Sequence, residues 1–160
     1  MQVLDASSII YAWDNYPKNQ FPGLWDWIAE QIEEKALAIP KVALEEVRHK
    51  TPECEKWLKE AGIALFDTTQ EILLDAMRIK KLVGIVDDRY HPKGVDENDL
   101  LIIATAKVHR CGLISDEEKQ TRLPDEPTKK KIPAVCAMAD VAVQCMNFIE
   151  FLKGSNAVFR

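Results

Sequence analysis

Asp5, Glu46, Asp99 and Glu117 are acids from distant parts of the chain, each placed where an apolar run has just ended or where a helix is about to open. Carboxylates brought together repel, and each is driven towards its protonated form unless a cation neutralises the group. A hard divalent ion does this, and oxygen donors without His or Cys favour magnesium or manganese over zinc. Such an ion can activate water and stabilise the charge of an in-line displacement at a phosphodiester. The chemistry open to these residues is metal-assisted hydrolysis, provided that the fold gathers them on one rim.

Short apolar runs recur between helical patterns: Val3-Leu4, Ala36 to Ile39, Ile63 to Phe66, Leu113-Ile114 and Ile132 to Val135. Their alternation predicts an α/β protein with a parallel sheet and helical crossovers. In such sheets ligands sit beyond the carboxyl ends of the strands. Asp5 directly follows the first run, and Glu117 follows Leu113-Ile114 after Ser115 and Asp116, while Glu46 and Asp99 fall in the opening turns of helices. Thr68-Thr69-Gln70-Glu71 is a capping-box pattern opening a helix with Ile72, Ala76, Ile79 and Val83 on one face, ending near Gly84. Leu100 to Ala106 is apolar on every side except Thr105, which suits a helix buried against the sheet. Residues 84 to 94 and 123 to 131 read as polar loops.

Each acid also has an ordinary structural explanation. Asp5 or Ser7 could cap a helix running through Ile9, Ile10 and Trp13; Asp96 and Asp99 have the spacing of a cap and its third helical residue, as do Ser115 and Glu118. Glu46 is the most informative. On a helix starting near Lys41 it falls among Val42, Ala43, Leu44 and Val47, whereas Glu45 projects to the polar side. A carboxylate turned towards the core needs a partner or a metal.

A length of 160 residues with 47% hydrophobic content is expected to form one domain. The net charge of -5 argues against a broad basic face for duplex DNA, so any nucleic-acid contact should be local or metal-assisted. Cys54, Cys111, Cys136 and Cys145 lack zinc-ribbon or redox-motif spacing, and the N-terminus lacks a signal-peptide pattern. Both point to reduced thiols in a cytoplasmic protein.

Leu4-Asp5-Ala6-Ser7-Ser8-Ile9-Ile10 resembles the opening motif of PIN domains, and Asp99-Leu100-Leu101-Ile102-Ile103-Ala104-Thr105-Ala106 resembles their third. Ile39-Pro40 to Glu46-Val47 resembles the second motif, with spacing from Pro40 that favours Glu46 over Glu45, and Leu113-Ile114-Ser115-Asp116-Glu117 resembles the last. Lys131 to Cys136 resembles a closing strand of one PIN branch. The resemblance implies a three-layer α/β/α fold with a central parallel sheet of four to five strands, covering residues 1–160. It also implies a magnesium- or manganese-dependent ribonuclease similar to the VapC-type toxins, dimeric and inhibited by a partner antitoxin. Its catalytic acids would be Asp5, Glu46, Asp99 and Glu117, its metal ligands would come from Asp5, Asp99, Glu117 and Asp116, and Ser7 and Ser115 would support them. At the last position Asp116 and Glu117 are both open. The competing function is a PIN-fold protein without catalysis, acting as a nucleic-acid- or protein-binding module. A haloacid-dehalogenase-like phosphatase would want an acid where Ser7 stands, and a receiver domain would want paired acids near the start.

Lys41, Arg48 and Lys50 flank Glu46 and are candidates for RNA phosphates. His49, His91 and His109 have no partner at metal-ligand spacing and receive no role. Trp27 points away from the face shared by Leu24, Trp25, Ile28, Ala29 and Ile32, which suits a partner contact or a base-stacking platform. Lys129-Lys130-Lys131 reads as a solvated loop.

Overall fold

A computed structural model describes residues 1–160. Five parallel strands, β1 (Gln2–Leu4), β2 (Leu37–Pro40), β3 (Ala64–Phe66), β4 (Gly112–Ile114) and β5 (Cys145–Met146), form one sheet in the order β3-β2-β1-β4-β5. The order reverses at β1: the chain first builds outwards through β2 and β3, then returns to add β4 and β5 on the other side. The crevice between β1 and β4, where the two crossovers diverge, is the place at which such sheets bind ligands.

Eight helices complete the layers: α1 (Ala6–Asn15), α2 (Pro22–Glu33), α3 (Lys41–Lys50), α4 (Pro52–Glu60), α5 (Gln70–Val83), α6 (Glu97–Val108), α7 (Ile132–Cys136) and α8 (Phe148–Ser155). The central strands are short but buried almost throughout, as a sheet covered on both faces requires. Val3, Leu4, Ile39, Leu113 and Ile114 join Ile9, Ile28, Ile79 and Ile102 in a continuous core. Ile102 to Ala106 of α6 are all buried, and the one polar residue among them, Thr105, donates its hydroxyl to Leu101 O at 2.7 Å. The helix therefore crosses the core with no unsatisfied side chain.

Several local signals act as their chemistry dictates. α5 is capped by Thr69, whose hydroxyl accepts from the Ile72 amide, one residue later than a Thr68–Glu71 box would start. It ends at Gly84 in the left-handed region, which glycine adopts without steric cost. α6 opens on a full capping box between Asp96 and Asp99. No helix follows Ser115, so that residue and Glu118 do not form the cap their spacing suggests.

Two expectations are corrected. Ile132 to Val135 belongs to helix α7, and the closing strand lies later, at Cys145–Met146. A run of five apolar residues is compatible with either state, and Pro133 near the helix N-terminus favours the helix, where its missing N–H is harmless. Trp27 is not an open platform: its ring packs on Phe151 of α8 at 5.5 Å and on Phe159 at 5.8 Å. No helix is long and apolar enough to cross a membrane.

Candidate active site

Asp5 is the first residue beyond β1 and is only 2% exposed. It occupies the cap position of α1 without capping it. Its carboxylate is instead held by two hydroxyls: Ser7 Oγ donates to Oδ2, and Ser115 Oγ, from the end of β4, donates to the same oxygen at 2.9 Å. Both hydroxyls also accept. Ser7 takes the amide of Asp116 at 2.9 Å and Ser115 takes the amide of Glu117 at 3.2 Å. The two serines thereby tie the start of α1 to the loop after β4 across the switch point of the sheet, and the shared feature is Asp5 Oδ2.

Glu46, Asp96, Asp99 and Glu117 line a cleft of about 420 Å³, with His49, Lys50, Pro92, Lys93, Gly94, Lys131 and Ile132 completing its walls; Asp5 is buried and is not part of the lining. Glu46 is half-buried and Glu45 is exposed, in agreement with the helix phase read from the sequence. The strip Glu46, His49 and Lys50 has the i, i+3, i+4 spacing that places side chains on one helix face.

These acids feel one another. Burial is the main force raising the carboxyl of Asp5, and the hydroxyls of Ser7 and Ser115 and the amides of Ala6 and Ser7 oppose it. Asp99 is pushed up to about 8, chiefly by burial, with the charges of Asp96, Asp5 and Glu117 adding to the effect. Glu46 and Glu117 are raised by burial and then by the charge of Asp5. Asn98 opposes the shift at Glu46 through a side-chain hydrogen bond, and Lys131 and Lys50 oppose it at Glu117. The charge of Asp5 thus bears on Glu46, Asp99 and Glu117 alike.

Asp116 and Glu117 part company here. Glu117 lines the cleft, whereas Asp116 Oδ1 accepts the Phe148 amide at 2.9 Å and serves the start of α8. Burial raises its carboxyl as well, with Glu150 adding and the Phe148 amide opposing. Of the basic residues singled out by sequence, Lys50 is at the cleft, while Lys41 and Arg48 are exposed and outside its lining.

Residues 2–159 match the family described as a domain of unknown function, DUF4411. The chain belongs to that family. No curated protein matches it significantly in sequence. Its fold is shared by chains in three solved complexes. One is VapBC2 from Rickettsia felis bound to a DNA fragment from their promoter, with 15% identity, a TM-score of 0.54, and coverage of 91% of this chain and 97% of the other. The second is DNA-bound VapBC from Salmonella typhimurium, with 13% identity, a TM-score of 0.56, and coverage of 92% and 97%. The third is a toxin–antitoxin complex from Klebsiella pneumoniae, with 18% identity, a TM-score of 0.50, and coverage of 78% and 93%. The DUF4411 chain thus has a PIN-like α/β/α fold with a five-stranded parallel sheet.

An all-oxygen donor set whose members raise one another's pKa suits a hard divalent cation, because the ionised cluster is costly without one. As placed, the side chains are spread around the cleft, and no three His, Cys, Asp or Glu groups lie close enough to enclose an ion directly. Magnesium does not need such a cage, since it is commonly held by one or two carboxylates and keeps several waters. The donor chemistry fits the ion, and inner-sphere enclosure by three or more side chains is not what this arrangement offers.

Asn98, Asp96, His49, Lys93 and Lys131 reach the site without having been singled out for it in the sequence. Asn98 and Asp96 sit beside Asp99 at the opening of α6, and His49 lies one turn beyond Glu46, so helix phase alone could have found these three. Lys93 and Lys131 come from the two polar loops, whose meeting no local pattern encodes.

Proposed function

We propose that this protein is a magnesium- or manganese-dependent ribonuclease, and that it is the toxin of a toxin–antitoxin pair restrained by a protein antitoxin. The observation that supports the hydrolytic reading most strongly is electrostatic. Asp5, Glu46, Asp99 and Glu117, drawn from separate parts of the chain, all stand above the ordinary carboxylate range, chiefly through burial, and the charge of Asp5 adds to the shift at the other three. Burying acids at a ligand-binding crevice costs free energy that Asn98, Lys50 and Lys131 offset only in part, and a cation would offset it further.

In this reading Asp5, Asp99 and Glu117 would hold the ion, and Glu46 would act beside them from α3. Bound there, the ion supplies an acidified water and neutralises charge developing on the phosphoryl oxygens. Ser7 and Ser115 keep Asp5 in one orientation, so that its second oxygen is presented consistently. Asp116 is left to its work at α8. The antitoxin partner is carried over from the toxin–antitoxin complexes that share the fold, and a homodimer is what the sequence resemblance to VapC-type toxins implies.

A second reading, a PIN-fold binding module without catalysis, draws on the spread of the carboxylates around the cleft. RNA cleavage by the purified chain, with and without Mn2+, separates the two, with Asp5→Asn and Asp99→Asn as controls. Metal-dependent cleavage lost in both variants is expected. Cleavage unchanged in both would remove the assigned site, and no cleavage of any RNA together with no bound metal would favour the binding module.

A further inference from the structure

The two polar loops meet and form one wall of the cleft. A Cβ at Gly94 would stand 1.8 Å from Thr128 O, so only glycine permits the approach. Beside it, the Val95 amide donates to Lys130 O at 3.0 Å. From the other side Gln120, on the loop that carries Glu117, clasps the same segment: its Nε2 donates to Lys129 O at 3.0 Å and its Oε1 accepts the Lys131 amide at 2.9 Å. Lys131 is therefore held by backbone and amide bonds on both flanks, and it lines the cleft together with Lys93. The expectation of a merely solvated lysine run does not describe this residue.

Lys50 and Lys131 oppose the shift at Glu117, yet no carboxylate pairs tightly with either of them or with Lys93. Lys50 and Lys93 enter none of the ion pairs of the molecule, and Lys131 has only a 3.9 Å contact with Glu118, whose side chain is 70% exposed. A chain of net charge -5 repels a polyanion at long range, so cations fixed at the mouth of its acidic cleft have a purpose only at short range. The lining contains no Phe, Tyr or Trp, and His49 is its one aromatic ring on which a base could stack. The cleft volume of about 420 Å³ is on the scale of a single nucleotide.

We propose that the Lys93 and Lys131 wall, locked by Gly94 and Gln120 and faced by Lys50, is a clamp for the phosphates of single-stranded RNA flanking the acidic floor, gripping backbone and not stacking bases. This rests on the ribonuclease reading for the identity of the strand. The lysines would position the strand, while the acids act on it.

The test is fluorescence anisotropy of a labelled, unstructured oligoribonucleotide binding to the full chain in Ca2+, across a salt series, with gels confirming that the strand is intact. Each phosphate contact to a single strand contributes about 0.7 to the slope of log affinity against log salt. Lys93→Gln should lower the slope by about 0.7 and Lys93→Gln/Lys131→Gln by about 1.4, with affinity reduced about tenfold or more. Lys153→Gln on α8 should change neither, and the Mn2+ affinity of Lys93→Gln should match the parent. An unchanged slope in the double variant, equal binding of duplex RNA, or no binding by the parent chain would each overturn the clamp. Cleavage in Mn2+ judges the other reading separately: cleavage with an unchanged slope sinks the clamp alone, and the lysine signature without cleavage sinks the ribonuclease alone.

Discussion

Helix α1 joins two regions built on opposite principles. At its N-terminal end Asp5 and Ser7 enter a buried polar network in which burial raises the Asp5 carboxyl and the charge of Asp5 adds to the burial that raises Glu46, Asp99 and Glu117. At its C-terminal end Trp13 meets Trp25 of α2 edge-on at 5.3 Å, Trp25 meets Trp57 of α4 at 4.9 Å, and Trp25 Nε1 donates to Tyr16 O at 2.6 Å. In the aromatic region every contact is satisfied within the chain. In the acidic region the electrostatics are left open, and something from outside has to complete them. Ten residues of one helix thus carry a stabilising end and a working end.

The contrast is broken or sharpened by treating the two ends alike. Trp25→Ala should have the largest effect, a loss of about 3–5 kcal/mol in denaturant melting from the removed ring and the cavity it leaves. Mn2+ affinity of the molecules that remain folded should stay the same. Asp99→Asn should do the reverse: metal-dependent cleavage falls by about 100-fold or more, while the melting temperature of the metal-free protein at pH 8 rises. If Asp99→Asn melts lower, as Trp25→Ala does, then Asp99 is chiefly the partner of Asp96 in a capping box.

The same acid sets a pH dependence. Its folded-state value of about 8 stands above the ordinary carboxylate value of about 4, so between them the folded chain keeps a proton that the unfolded chain has released. Its contribution to stability is therefore fully present below pH 4 and is lost as pH rises towards 8. Thermal melting of the metal-free protein should show this decline from Asp99, and Asp99→Asn should flatten it.

Smaller effects follow at the supporting residues. Ser115→Ala removes one of the two hydroxyls on Asp5 Oδ2 and should weaken Mn2+ binding about tenfold, as loss of a residue orienting a ligand does. Glu46→Gln should weaken it less, and Glu45→Gln should leave metal binding alone and shift stability within about 0.5 kcal/mol. Equal losses from the last two, measured by manganese titration, would contradict the helix phase that separates them.

Four of the five strands were legible as apolar runs: β1, β2 and β4 because strands buried on both faces write themselves as continuous apolar residues, and β3 through Ile63 to Phe66, although Leu65 is exposed. The inward phase of Glu46 and the Asp96–Asp99 cap were equally legible, being periodic or local. β5 was not, since a two-residue edge strand carries no pattern and the apolar run before it is a short helix. The box at Asn147 and Glu150 that opens α8 could have been read, and with α8 in view Trp27 would have been covered. The division between Asp116 and Glu117 was out of reach, because it depends on which neighbour's amide faces Asp116. Lys93 and Lys131 were hidden for the same reason: Gly94 lets two loops meet that are more than thirty residues apart.

The central claim is that the acids at the working end of α1 form one site completed by a divalent cation. Mn2+ binding followed by electron paramagnetic resonance at pH 7.5 tests it most directly, on the parent chain, Asp5→Asn, Asp99→Asn and, as a remote acid, Asp75→Asn. The account predicts saturable binding by the parent chain and by Asp75→Asn, lost or greatly weakened in the other two. Equal binding by all four proteins, or none by the parent chain, would contradict it.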